Sequence, residues 1–356
     1  MPSHVAHLLF AEDSIARSSV ATELAPLARG SLRSYLVLGA QGPDLFYHNQ
    51  RRKPTGLAYG SLMHRKRYGT AVAAMWRWAR AHGLPLESWA GSWIVGFASH
   101  AILDRHAHPF INTHAGWTEP GDPDTDQYRS MHPFLERLID VELLRERDGR
   151  HPNEIDFYGQ VSCGDKPPEN WLKMMSTALA AAYDKAARDD RLRDRLVSAY
   201  LDTMGYYRFT NRVDRESLRE ALARAEAREE DRRWLSIVHP PQVPPDVDVL
   251  NRRHREWVHP CDESETSTES FLDCYARALD ESSRAVTSIA TAWELPAARA
   301  AGEIAAAVKD WNLSDGRPTE RPCAKRFSTP LPLARVQERI WESIRAADDG
   351  SVPDAR

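Results

Sequence analysis

The hydrophobic positions along this chain follow a helical period almost throughout. Apolar residues recur every three or four positions in most long segments, and no stretch alternates apolar with polar residues for long enough to indicate a strand. Residues 85–108, "PLESWAGSWIVGFASHAILDRHAH", are apolar on most faces. This predicts a central, buried helix that Pro109 should end. The pattern as a whole predicts an all-α fold.

Amphipathic segments on either side of this helix predict further helices. One is expected over residues 13–28, with Asp13 as its cap, and another over residues 62–83. A third covers residues 125–147, where Pro133 marks an entry or a kink. Several more helical segments follow residue 150. Two long proline-rich connections join them, at residues 239–260 and 312–332.

No shift in composition divides the chain, so we expect a single all-α domain over residues 1–356. Residues 1–148 hold the candidate chemistry and should form a metal-binding helical core. Residues 149–356 should add helices that complete or cover this core. The charged faces of these later helices, such as "LREALARAEAREEDRR", are most simply solvated. They could also cap a pocket or form the contact of a homo-oligomer.

The composition narrows the class of protein. The net charge is −4 with both signs interspersed, which gives no basic field for stable nucleic-acid binding. No stretch approaches the ~20 apolar residues of a transmembrane segment, and the first residues lack the pattern of a secretory signal. The four cysteines are scattered without CxxC spacing, which predicts free thiols in a reducing compartment. We therefore expect a cytoplasmic protein.

Histidines are crowded into residues 99–114, "SHAILDRHAHPFINTH". His100 and Asp104 stand four residues apart, so a helix would place both side chains on one face, ~6 Å apart at Cβ. His108 follows one turn later and extends the column. His132 and Glu136 repeat the four-residue spacing on another segment. A carboxylate and an imidazole one turn apart can bind the same metal ion without bending the backbone.

Three more residues complete the candidate set. Asp44 follows a Gly-Pro turn, His64 lies near the start of a predicted helix, and His7 lies in the opening apolar segment. Imidazole nitrogen and carboxylate oxygen suit zinc, and the same donors could bind iron or manganese. The full set of candidate metal ligands is His7, Asp44, His64, His100, Asp104, His108, His132 and Glu136.

The other histidines are interpreted as structural, because a single histidine on an apolar face is usually a core residue. His4 competes weakly with His7 for a ligand role. His239 and His259 each precede a proline in a loop, where turn or surface roles are expected. The remaining residues given structural roles are His48, His106 and His114, and the tryptophans Trp76, Trp78, Trp89 and Trp93, which we assign to the core.

Taken in order, the motifs resemble those of the bacterial zinc-dependent phospholipase C family. The fungal single-strand nucleases share that family's all-helical trinuclear zinc fold. The motifs are a histidine near the amino terminus, "GPD", "MHR", HxxxDxxxHP and HxxxE, within residues 1–140. Residues 251–278 also look like a segment of cytoplasmic relatives of the family. The resemblance implies a phospholipase C-like helical bundle around a buried multinuclear metal site.

The resemblance also implies how zinc would be shared among the candidates. Three sites follow, held in turn by Asp44, His64, His100 and Asp104; by His108, His132 and Glu136; and by His7 with the bridging Asp104. In secreted members an exposed tryptophan amine completes the third site. This chain begins Met1-Pro2, so the amine of Pro2 would have to replace it. We therefore expect two zinc ions, with a third dependent on that amine.

The implied activity is hydrolysis of a small or lipid phosphodiester. Three carboxylates against two or three zinc ions leave the pocket net positive, which suits a phosphoryl transition state. A water between two zinc ions would have its pKa lowered towards neutrality, so hydroxide could attack phosphorus in line. The resemblance implies that Asp44 is either the general base toward this water or a ligand only.

Two alternatives stay open at this point. A helical di-iron or di-manganese protein uses similar spacings, but its site usually carries more glutamate than histidine and a Glu-x-x-His motif, which these candidates lack. A non-catalytic all-α scaffold could keep the fold with a structural metal or none. Structural zinc sites are usually rich in cysteine, and no cysteine neighbours the histidines in the sequence.

Overall fold

The computed structural model describes residues 4–210, 216–228, 234–318 and 323–348. The described residues form sixteen α-helices and a single two-stranded sheet, so the predicted all-α class is confirmed. The α-helices are α1 His4–Arg17, α2 Ala21–Leu24, α3 Gly30–Ala40, α4 Asp44–Tyr47, α5 Leu57–Arg65, α6 Tyr68–Ala81, α7 Trp89–Ala115, α8 Met131–Asp148, α9 Phe157–Val161, α10 Glu169–Ala182, α11 Asp184–Ala187, α12 Leu192–Thr210, α13 Glu216–Ala227, α14 Phe271–Ala292, α15 Ala297–Val308 and α16 Leu333–Asp348. The strands are β1 Trp257–His259 and β2 Asp262–Ser267.

Helix α7 is the centre of the fold, as its apolar faces predict. Helices α3, α14, α6 and α1 pack around it. Glycines set the close crossing of α3 and α7. A Cβ at Gly39 would lie 2.5 Å from the carbonyl oxygen of Trp93, and one at Gly96 would lie 2.2 Å from that of Leu36. The two backbones can therefore approach only because both positions lack a side chain.

The prediction that Pro109 ends α7 is wrong, because the helix continues to Ala115. Proline cannot donate to the carbonyl of Arg105 one turn earlier. Gly316 packs against that carbonyl, since a Cβ there would lie 2.4 Å from its oxygen. A segment of the carboxy-terminal half also binds the far end of the helix, where Leu331 donates its N–H to His114 O at 2.8 Å. Tertiary contacts thus keep the last turns helical beyond the proline.

Other predicted boundaries also change. Instead of a helix over residues 13–28, α1 begins at His4 and ends at Arg17, so Asp13 lies inside it. The helix predicted over residues 62–83 is divided into α5 and α6, because Arg67 adopts a positive φ of 56°. Pro133 lies in the first turn of α8, which confirms it as an entry point. The short hairpin β1–β2 was not predicted, because β1 has only three residues and β2, "DESETS", contains no apolar residue that could alternate with polar ones.

Both halves of the chain contribute to one hydrophobic core. Helix α14 packs on α1 and α7, α15 packs on α6, and α12 packs on α4. The four tryptophans assigned to the core lie there, with Trp89 only partly buried. None of the described helices has the length and hydropathy of a membrane span. The cytoplasmic location and the homo-oligomer stay predictions.

The prediction of four free thiols is wrong for two of the cysteines. Cys261 and Cys323 form a disulfide with their Cα atoms 5.6 Å apart, whereas Cys163 and Cys274 are free. The pair was not predictable because 62 residues separate its members. Tertiary structure brings the hairpin beside the later segment, where Arg326 donates its N–H to Pro260 O at 2.8 Å. The cysteines therefore no longer argue for a reducing compartment.

Candidate metal centre

Helix α7 presents His100, Asp104 and His108 as the predicted column. All three side chains are buried. Asp104 Oδ2 lies 3.1 Å from His100 Nε2 and 3.8 Å from His108 Nδ1. The four-residue spacing thus places two imidazoles around one carboxylate.

Helices α1, α4 and α5 bring three more candidates to the same carboxylate. His7 Nε2 lies 3.3 Å from Asp104 Oδ1, and its ring stacks on that of His100 at 4.1 Å between centroids. His64 Nε2 lies 3.3 Å from Asp104 Oδ2 and 3.3 Å from Asp44 Oδ1. The turn before Asp44 needs Gly42, whose φ is 54° and whose Cβ would lie 2.3 Å from the His100 ring. Asp104 is therefore central to the group.

Helix α8 supplies the last two candidates. His132 Nε2 lies 2.9 Å from Glu136 Oε1, and the His132 ring centroid lies 5.6 Å from that of His108. The structure thus brings together all eight predicted residues, which we call the metal cluster. The cluster contains three sets of residues, and within each set the donor atoms lie within 4.8 Å of one another. The sets are His7, Asp44 and His100; His64, His100 and Asp104; and His108, His132 and Glu136.

Backbone carbonyls orient three of the imidazoles. The Nδ1 atoms of His64, His100 and His108 bond the carbonyl oxygens of Gly60 at 2.8 Å, Ala40 at 3.0 Å and Leu313 at 2.7 Å. A carbonyl only accepts, so each Nδ1 carries the proton and donates it. Each Nε2 then presents a lone pair toward the cluster, which is the arrangement that fixes histidine ligands in metal sites.

Several of the converging atoms have no hydrogen-bond partner within the described part of the chain. They are Nε2 of His64, His100 and His108, both ring nitrogens of His7, Oδ1 of Asp44 and both carboxylate oxygens of Asp104. Leaving one buried polar atom unpaired costs ~1–3 kcal/mol. So many in one place are expected only where a bound species satisfies them. The nitrogen and oxygen donors of the cluster fit zinc ions.

The electrostatics of the cluster hold Asp104 and His108 in the forms that bind a metal at neutral pH, but they do not do so for every donor. Burial alone would lower the pKa of His64, but its hydrogen bonding to Asp104 and Asp44 raises the pKa well above its usual value. Burial alone would raise the pKa of Asp104, but the neighbouring His100 and His108 hold it well below its usual range. Burial lowers the pKa of His108 to about 3, so its imidazole is neutral. Burial and the charges of Asp44 and Asp104 raise the pKa of Glu136. A cation would reverse the last effect, because it stabilises the carboxylate form.

Leu313 is a contributor that the sequence did not reveal. Besides accepting from His108, its backbone donates its N–H to His64 O at 2.7 Å, so one buried residue joins two helices of the cluster. It belongs to a segment that runs along α7 and that we call the strap, residues 308–318 and 323–331. The contact uses only main-chain atoms, so no side-chain motif could have indicated it.

A second group of histidines lies beside the metal cluster. Asp140, one turn beyond Glu136 on α8, accepts the N–H groups of Val5 at 3.3 Å and Ala6 at 2.8 Å, and His239 Nε2 at 2.9 Å. Arg137 Nη1 lies 2.5 Å from His4 Nδ1 and 3.8 Å from Asp140 Oδ2. We call His4, Arg137, Asp140 and His239 the Asp140 cluster. It closes the amino-terminal end of α1, the helix that carries His7.

The histidines that were interpreted as structural from the sequence make the following contacts. His239 is fully buried, so the surface role expected for it is wrong. His259 accepts the N–H of Cys261 at 3.2 Å, which confirms a turn role. His48 stacks on Tyr206, His106 bonds Glu281, and His114 bonds the carbonyl of Phe110. None of these three joins the metal cluster.

A cavity of about 580 Å³ opens beside the metal cluster. Asp44 and Glu136 belong both to the cluster and to the cavity wall. Three arginines line the wall, Arg51, Arg52 and Arg137, together with aromatic side chains that include Tyr47 and Trp234. Several of these residues come from beyond position 149, so the later half of the chain helps to form the cavity as well as the core.

The comparisons with known proteins give no relative: no family model, no curated protein and no solved structure matches this chain. The resemblance to the zinc-dependent phospholipase C family therefore stays a prediction that rests on the motifs.

Proposed function

We propose that this protein is a zinc-dependent hydrolase of phosphate esters, a phosphodiesterase similar to phospholipase C. The observation that carries the proposal is the metal cluster itself. Eight donors converge, seven of them buried and His132 partly exposed. Six of the eight have converging atoms without a hydrogen-bond partner among the described residues, and two line a cavity that also carries arginines. Multiple zinc ions beside an anion-binding cavity are a recurring arrangement in enzymes that hydrolyse phosphate esters.

The donors divide into two complete metal sites and a partial third. His64, His100 and Asp104, with Asp44 beside them, would hold one ion, and a second set would consist of His108, His132 and Glu136. A third site would use His7 with Asp104; the amine of Pro2 proposed for it lies outside the described residues. Two zinc ions held there would supply Lewis acidity, which would offset charge on the phosphoryl group and ease deprotonation of a water nucleophile.

Asp44 is the residue we assign to proton transfer. It lies between the metal cluster and the cavity. Burial raises its pKa, but the neighbouring His100 and His64 outweigh this effect and keep the pKa below its usual 3.8. The carboxylate is therefore ionised and able to accept a proton from the attacking water. As the new oxygen–phosphorus bond forms, the ester bond breaks, and the proton is then available to the leaving alkoxide.

Elemental analysis and a phosphodiester assay test the proposal together. We expect two or three zinc ions per chain and hydrolysis of bis(p-nitrophenyl) phosphate. His100→Ala and Glu136→Ala should each lose metal together with at least about 10³-fold in activity. His106→Gln is the matched control, because His106 lies on α7 but bonds Glu281 instead of the cluster. Full activity in His100→Ala, or no stoichiometric metal in the unaltered protein, would overturn the proposal. Iron or manganese would favour the di-metal oxidase alternative.

A further inference from the structure

The acidic residues of the cavity wall are all engaged with other partners. Asp44 and Glu136 face the proposed metal ions and would be neutralised by them. The other acidic residue of the wall, Asp202, forms an ion pair with Arg52 at 2.7 Å and accepts the N–H groups of Arg51 and Arg52 at 2.9 Å. Among the described residues of the wall, no carboxylate is therefore left to bind a cationic group.

Arg51 is the cation that remains. It lies exposed on the cavity wall, and its guanidinium has no carboxylate partner within the described residues. It lies over the indole of Trp234, 5.9 Å from the ring centroid. Cation–π contact orients a guanidinium but leaves its N–H donors available, and a guanidinium binds a carboxylate or phosphate through two parallel hydrogen bonds.

We propose that Arg51 forms an anion subsite, and that the preferred substrates are phosphodiesters carrying a second anionic group on the arm that is not cleaved. The inference rests on the proposed function for the position of the scissile phosphate. Arg137 also lines the cavity but faces Asp140 at 3.8 Å, so Arg51 alone carries the proposed subsite. A cationic arm, such as a quaternary ammonium group, meets Arg51 and finds no free carboxylate among the described residues of the wall, so such esters are disfavoured.

Three esters of p-nitrophenyl phosphate test this subsite, because they share a leaving group and differ only in the other arm. The arms are 2-carboxyethyl, propyl and choline, which carry negative, zero and positive charge. With the zinc-loaded protein we expect kcat/KM to fall in that order, with about five- to tenfold between the carboxyethyl and choline esters. The preference should arise mainly in KM and should shrink at 0.5 M salt, where the Debye length is only ~4 Å.

Substitution of Arg51 should remove the preference. Arg51→Gln should bring the three kcat/KM values within about twofold of one another, and Arg51→Glu should invert their order. Lys53→Gln is the matched control, because Lys53 is also exposed but does not line the cavity. Arg51 is exposed and contributes only a rim contact, so these variants should fold. Equal rates for all three esters in the unaltered protein, or a choline preference, would overturn the subsite while leaving the proposed function intact.

A binding measurement separates the two hypotheses if no ester is cleaved. Calorimetry of the zinc-loaded protein should show 3-phosphonopropionate binding more tightly than 2-aminoethylphosphonate, with the difference lost in Arg51→Gln. That result without any hydrolysis would support the subsite and contradict the proposed function. Equal affinities for the two phosphonates would overturn the subsite.

Discussion

The metal cluster and the Asp140 cluster lie side by side, and in each of them histidines surround a fully buried aspartate, yet the hydrogen bonding of the two aspartates differs. Asp104 has two carboxylate oxygens without a hydrogen bond from a described residue. Asp140 has both oxygens bonded, one to Ala6 N–H and the other to Val5 N–H and His239. Arg137 adds a positive charge beside Asp140, where a metal ion would be repelled.

This difference shows that the partners of each atom distinguish a metal site better than the composition of the group does. The donors of His4, Asp140 and His239 also lie within 4.8 Å of one another, as metal ligands would. In the Asp140 cluster, however, hydrogen bonds satisfy the carboxylate, and the cluster serves to anchor α1. In the metal cluster, Asp104 faces the Nε2 atoms of His7, His64 and His100 without a hydrogen bond from a described residue. The first group therefore supports the proposed metal site, and the second fits a positioning role.

The largest effect is expected when the central carboxylate of each cluster is replaced by an amide. Asp104→Asn and Asp140→Asn are isosteric changes at two fully buried positions. Asp104→Asn should lose stoichiometric zinc and at least about 10³-fold in kcat/KM, because an amide replaces the anionic oxygens that four histidines surround. Asp140→Asn should keep its zinc and lose at most about 10- to 100-fold. Elemental analysis and the phosphodiester assay measure both, and loss of zinc in Asp140→Asn alone would reverse our assignment.

Loss of the disulfide should lower the stability of the protein and weaken zinc binding in the metal cluster, because the bond holds the strap. It closes a loop between positions 261 and 323 and holds the strap that reaches His108 through Leu313. In the chain-entropy description, loss of a disulfide closing a loop of this size costs about 4 kcal/mol. Urea denaturation of the double variant Cys261→Ala/Cys323→Ala should show this loss, together with weaker zinc binding at the His108 site. Cys163→Ala, which removes a free thiol, is the control. An unchanged unfolding free energy would show that the strap does not depend on the bond.

Stability should depend on Asp140 even in protein stripped of metal. Its carboxylate holds the amino-terminal N–H groups of α1 and faces Arg137, which would be left buried without its counter-charge. We expect Asp140→Asn to lower the unfolding free energy by about 2–3 kcal/mol. Asp148→Asn, at the exposed end of the same helix, should change it by less than about 0.5 kcal/mol. Equal, small effects of both variants in urea denaturation would contradict the anchoring role.

The smallest expected effect is a dependence of the unfolding free energy on pH, caused by the titration of His239. Burial and the charge of Arg137 hold its pKa well below the usual 6.5. The unfolded chain therefore binds a proton that the folded chain does not, and the unfolding free energy falls as the pH drops below about 6.5. The linked loss approaches about 1.4 kcal/mol per pH unit for one such histidine.

His239→Gln tests this linkage. A glutamine can still donate an N–H to Asp140 but does not titrate. Between pH 6.5 and 5, the unfolding free energy of metal-free His239→Gln should therefore fall less steeply than that of the metal-free parent. The difference in slope should correspond to about one proton fewer taken up on unfolding. Parallel slopes in the two proteins would show that His239 is already protonated in the folded state.

Sequence reasoning succeeded where the information is local. The period of the apolar positions predicted the helices, and the four-residue spacings predicted that His100, Asp104 and His108 share one face of α7 and that His132 and Glu136 share one face of α8. The order of the motifs led us to combine these residues with His7, Asp44 and His64, and the structure brings all eight together. That they bind zinc, and that the chain is a phosphoesterase, stay predictions.

The tertiary structure decided which segments that are far apart in the sequence contact each other, often through main-chain atoms alone. The continuation of α7 beyond Pro109 depends on the strap, as does the orientation of His108 by Leu313. The buried position of His239 and the pairing of Cys261 with Cys323 likewise have no local signal. Side-chain chemistry and spacing can be read along the chain. Whether a buried donor already has a partner depends on which backbone folds against it, and only the packed structure determines that.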